Sequence, residues 1–114
     1  CDEIAEVLDK TGLTKQQKDE ILKIESELSL IARQGRAFGI HLVLATQRPD
    51  AGILNGQIRN NIDTRICGRA DNVLSQIILD NTDASDKIAK SSQGRFLTNS
   101  GKIFQAYWFD ENIL

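Results

Sequence analysis

Long apolar runs are missing from this chain, and so is any lysine between residues 33 and 69. No stretch approaches the roughly 20 apolar residues that span a bilayer, and nothing has the layout of a signal peptide. The two cysteines, Cys1 and Cys67, show no metal or redox spacing, and Cys67 reads as a buried, reduced thiol. Proline occurs once, at Pro49. Internal repeats, low-complexity segments and domain linkers are all absent. What remains is ordinary for a soluble globular protein: 114 residues, 40% hydrophobic and 26% charged. That is one small domain or part of a larger one.

The net charge of −2 does not announce a nucleic-acid binder. Its distribution is more telling. Six of the seven arginines (Arg33, Arg36, Arg48, Arg59, Arg65, Arg69) fall between 33 and 69, opposed only by Asp50 and Asp63. Arginine suits bidentate phosphate contacts and interfacial charge. At least two of the six are therefore expected to serve phosphate or a subunit interface; the alternative is that several simply form surface ion pairs.

Hydrophobic periodicity sets the element order. A short helix follows Asp2-Glu3 and is broken at Thr11-Gly12-Leu13. Thr14 and Gln17 form a capping box that opens a long amphipathic helix from Lys15 to about Phe38, with Ile21, Ile24, Leu28 and Ile31 as its stripe. Gly35 ends or kinks it, and Gly39 is the safer stop. Ile40–Ala45 is an apolar run fit for a buried central strand that encloses His41. A polar loop runs from Thr46 to about Gly56. Beyond it come a helical turn (57–62), a strand (64–68), helices capped by Asp71 and Thr82, and strands 94–98 and 103–109 joined by Asn99-Ser100-Gly101. Phe96, Phe104, Tyr107, Trp108 and Phe109 fall in this hairpin and read as core packing rather than a base-stacking platform. The order predicts a three-layer α/β sandwich, mostly parallel with a terminal antiparallel hairpin.

Residues 39–49 (GIHLVLATQRP) resemble the third conserved motif of FtsK/SpoIIIE-type DNA-pumping ATPases. The opening DEIAEVL is similar to the DEFADLM that follows the Walker B strand in that family. The stretches NNIDTRICGRADNVLSQIILDN and SQGRFLTNSG look like the coupling ATPases of Gram-positive conjugative elements. By this resemblance, residues 1–114 are the C-terminal part of a single RecA-like P-loop motor domain. The G-x-x-x-x-G-K-[ST] phosphate loop is absent from the sequence. The expectation is that the chain starts inside the motor, so that alone it does not hold ATP normally.

The resemblance implies roles for particular residues. Asp2 would hold Mg2+, through water, beside ATP, and Glu3 would polarise the attacking water. Asp2, Thr46 and Gln47 would line the nucleotide, with Thr46-Gln47 as γ-phosphate sensor. Arg36 is a candidate finger reaching a neighbouring subunit's ATP, and Arg65 is the second; the sequence does not rank them. Arg48, Asn55, Gln57 and Arg59 would touch DNA from the loop and the turn after it, although a plain solvated loop fits equally. The whole protein would be a homo-hexameric ring at the cytoplasmic face of a bacterial membrane, anchored by segments outside these residues. It would pump DNA in conjugation alongside a relaxase or channel proteins. A type VII secretion-type export ATPase and a non-catalytic α/β nucleotide- or DNA-binding module are the alternatives.

Overall fold

Helix and strand propensities decide the local structure, and two separate cores decide how it packs. The computed structural model describes residues 1–47, 50, 52 and 54–113. These fall into two units, residues 1–63 and 64–114.

In the first unit, α1 (Ile4–Leu8) buries Ile4, Ala5 and Leu8. α2 (Lys15–Gln34) opens on the expected capping box: Gln17 N donates to Thr14 Oγ1 at 3.3 Å, and Thr14 N donates to Gln17 Oε1 at 3.0 Å. The α-helix stops four residues earlier than the periodicity implied, because Gly35–Phe38 tightens into a 3₁₀ turn. Gly39 then ends it in the left-handed region at φ 70°, where a side chain would be strained.

The buried face of α2 also differs from expectation. Ile21 and Leu28 pack inward, but Ile24 and Ile31 are exposed, and the buried positions are Glu25 and Ser29. Glu25 is tolerated there because Lys10 Nζ donates to its carboxylate. α3 (Gly56–Asn60) is capped by Asn55, whose Oδ1 accepts from Ile58 N at 3.0 Å. Ile4, Leu8, Leu54 and Ile58 form the core, with Ile21, Leu28, Leu44 and Ile62 against it. Burying a side chain such as Leu8 or Ile58 fully is worth about 1.5–3 kcal/mol.

Among the described residues Ile40–Ala45 is extended but forms no strand ladder. Only Cys1–Glu3 lies alongside it among the described residues, and a ladder needs a partner along its length. Its hydrogen bonds nonetheless follow a parallel pattern: Cys1 N donates to Val43 O (2.7 Å), Ala45 N to Cys1 O (2.9 Å) and Ile4 N to Ala45 O (2.9 Å). Burial alternates along the run, with Leu42, Leu44 and Thr46 partly covered. His41 and Val43 are exposed, so the buried position expected for His41 is corrected.

In the second unit, β1 (Ile66–Cys67), β2 (Arg95–Thr98) and β3 (Ile103–Gln105) form an antiparallel sheet in that order. This sheet is antiparallel throughout among the described residues, beyond the terminal hairpin that the sequence suggested. α4 (Asn72–Leu79) is capped by Asp71, whose Oδ1 accepts from Leu74 N at 2.8 Å. α5 (Asp83–Lys87) follows Thr82, whose hydroxyl turns to Asp86 Oδ2 (2.7 Å) instead of capping. The hairpin turn closes with Gly101 at φ 88°. Ala70, Leu79, Ala84, Ile88 and Leu97 make this unit's core, and Cys67 packs against it. Cys67 is half-buried and free, and burial pushes its thiol up from the ordinary value.

The aromatic expectation holds only in part. Phe96 and Phe104 stack at 5.6 Å between centroids. β3 ends at Gln105, however, and beyond one further backbone bond, from Ala106 N to Gly94 O (2.7 Å), Tyr107, Trp108 and Phe109 are exposed, Trp108 by 83%.

Candidate functional site

Two segments far apart in sequence meet at the end of the apolar run. The backbone bonds between Cys1–Ile4 and Val43–Ala45 bring Asp2-Glu3 beside Thr46-Gln47. Glu3 N-caps α1 by position but makes no side-chain cap. Its carboxylate turns to the other segment instead: Thr46 Oγ1 donates to Oε1 at 2.5 Å, and Gln47 N donates to Oε2 at 3.2 Å. The Glu3 backbone is left-handed, at φ 51° and ψ 55°. For a residue with a Cβ this costs on the order of 1–2 kcal/mol, and it persists where surrounding contacts over-determine it. Here those contacts are the paired backbone on one side and the clamped carboxylate on the other.

Asp2 is exposed, and nothing among the described residues pairs with its carboxylate. No cluster of three or more potential metal ligands forms among the described residues. With the neighbouring Glu3 carboxylate held by Thr46 and Gln47, Asp2 is the carboxylate left to a metal at this spot. That suits magnesium, which keeps several waters and takes further ligands from phosphates. Gln47 is exposed, and its backbone N–H is the atom spent on Glu3, so this contact leaves its side-chain amide uncommitted.

The two finger candidates have different surroundings. Arg36, in the 3₁₀ turn, is 87% exposed and meets Asp63, itself 77% exposed, at 3.2 Å. Arg65 is only 16% exposed, and its Nη1 donates to Asp80 Oδ2 (2.8 Å) and to Ile78 O (3.2 Å), fastening β1 to the end of α4. Arg65 is therefore built into its own unit. Arg33 and Arg69 are also used locally: Arg33 donates to Ser29 O, and Arg69 to Ser85 O and Ile88 O at the end of α5.

Of the residues expected at DNA, Arg48 lies outside the described residues, as does Pro49. Asn55 spends its side-chain oxygen as a helix cap, Gln57 is exposed, and Arg59 is half-buried. The sequence reading missed the Glu3 clamp and the acidic partners Asp63 and Asp80. Each lies 15 to 44 residues from its partner, so no local pattern signals it.

No protein-family profile matches the chain. It is similar to the DNA translocase FtsK of Tropheryma whipplei, with 36% identity over 93 residues, covering 78% of this chain and 12% of that protein. It is likewise similar to the DNA translocase FtsK of Haemophilus influenzae, with 32% identity over 96 residues, covering 81% of this chain and 18% of the relative. Among solved structures it is similar to the pCW3 conjugation coupling protein TcpA, in a monomer form with ATPgS. The TM-score is 0.87 and the identity 43%, across 98% of this chain and 32% of that one. The chain thus spans a small part of the translocases and about a third of the coupling protein. With the motif at residues 39–49 and the Asp2-Glu3 segment joined in space, these likenesses show that the chain belongs to the FtsK family.

Proposed function

We propose that residues 1–114 are the C-terminal half of a RecA-like motor domain in an ATP-driven DNA translocase that serves conjugation. The observation that carries this reading is the Glu3 carboxylate held by Thr46 and Gln47. An NTPase of this class needs a water-polarising carboxylate next to a polar group that senses the γ-phosphate. The likeness to a coupling protein solved with ATPgS supports ATP as the nucleotide and conjugation as the setting.

In this reading Glu3 orients the attacking water, and the Gln47 amide hydrogen-bonds the γ-phosphate oxygen and that water. Asp2 holds the hydration shell of Mg2+, which neutralises phosphate charge when bound. Arg36 is the finger, because it stands exposed on its turn while Arg65 is tied to Asp80. A finger in trans implies a ring, taken here as a homo-hexamer. Arg48, Asn55, Gln57 and Arg59 belong to the segment that grips DNA through its backbone, which suits a motor indifferent to sequence. The whole protein is anchored at the cytoplasmic face of the membrane by segments outside these residues, and a relaxase or channel protein is its partner. The phosphate loop comes from residues outside this stretch, so residues 1–114 alone do not turn over ATP.

The test is Glu3→Gln in the whole protein. ATP binding, measured by fluorescent-analogue titration, is expected to stay within about twofold, while turnover falls by about 10²-fold or more. Wild-type turnover in that variant removes Glu3 from the mechanism.

A further inference from the structure

We infer that Thr46 is a positioning residue for Glu3, not a nucleotide contact, and that this hydrogen bond ties the water-polarising carboxylate to the sensor segment. The inference rests on reading Glu3 as that carboxylate. Its basis is geometric. The Thr46 hydroxyl lies 2.5 Å from Glu3 Oε1, and the next residue's N–H reaches Oε2 at 3.2 Å. A carboxylate only accepts hydrogen bonds, so the hydroxyl is the donor and its proton points at Glu3.

The two bonds take one oxygen each and fix the plane of the carboxylate. Each oxygen keeps a lone pair for water. Thr46 is half-covered, on the same side of the run as Leu42 and Leu44, and Leu44 packs on the core. Gln47, the next residue, faces solvent. Along the alternating run one residue is turned inward to Glu3 and its neighbour outward, so consecutive positions divide the work. The left-handed Glu3 backbone is a second, independent sign that this side chain is held in one direction. Since Gln47 uses its backbone on Glu3, displacement of the sensor by loss of the γ-phosphate would move the carboxylate with it.

The experiment compares Thr46→Val, which keeps shape and removes the donor, with Thr46→Ser, which keeps the donor, in the whole protein. Thr46→Val is expected to lower kcat by about 10- to 100-fold with KM for ATP within about twofold, because misplacing a catalytic group costs rate rather than binding. Thr46→Ser is expected to recover most of that loss. In single-turnover hydrolysis, adding Thr46→Val to Glu3→Gln is expected to change the residual rate by less than about twofold, since groups acting as one unit are not additive.

Several results overturn the inference. They are a raised KM at unchanged kcat, an undiminished rate in Thr46→Val, or a double variant slower than Glu3→Gln by the full factor. Melting curves on each variant identify a folding defect, and in that case Thr46→Ser against wild type decides. A dead Glu3→Gln beside a normal Thr46→Val overturns this inference alone. A normal Glu3→Gln overturns the reading beneath it.

Discussion

At the scale of single residues, arginine crowding overstated the supply of functional cations. Arg33, Arg65 and Arg69 bond to acceptors in their own units: Arg65 and Arg69 take carbonyls that helix ends leave without partners, and Arg33 bonds Ser29 O one turn back on α2. Arg36 is different, since its ion pair with Asp63 is exposed at both ends and so weak. Arg36→Ala is expected to cost less than about 1 kcal/mol of stability and, under the proposed role as a finger, to abolish hydrolysis by the whole protein. Arg65→Ala is expected to cost about 1–2 kcal/mol through the lost Asp80 and Ile78 bonds. Thermal denaturation and turnover on the two variants check both. An inactive but fully stable Arg65→Ala would transfer the finger to Arg65.

At the scale of elements, signals that depend on a few neighbouring residues were legible. Thr14 with Gln17, Asp71 before α4, Asn55 before α3 and the Asn99-Ser100-Gly101 turn all act as their types require. Asp71→Ala is accordingly expected to lower stability by about 1 kcal/mol, measured by urea unfolding. Signals that depend on a distant partner were not legible. Ile40–Ala45 has the composition of a central strand, but strand formation is decided by what lies beside it. Glu25, which the stripe of Ile21, Ile24, Leu28 and Ile31 left out, is buried in place of Ile24, because Lys10 answers its charge from the preceding loop. The aromatic run 107–109 promised a buried strand, yet backbone pairing stops at Ala106 and the three side chains are exposed.

At the scale of the whole molecule, each unit has its own apolar core, and the candidate site residues Asp2, Glu3, Thr46 and Gln47 all belong to the first. Their residue types were readable from the motif. Their juxtaposition was not, because 43 residues separate Thr46 from Glu3 and the link is made by backbone pairing of Cys1–Ile4 with Val43–Ala45. Under the proposed function this site drives DNA movement, which is tested by steady-state ATP hydrolysis by the whole protein with DNA, with unfolded polypeptide, and with neither. A DNA motor is expected to hydrolyse ATP several times faster on DNA, to ignore polypeptide, and to lose the stimulated rate on Glu3→Gln. Hydrolysis indifferent to DNA, or raised only by polypeptide, would contradict the account.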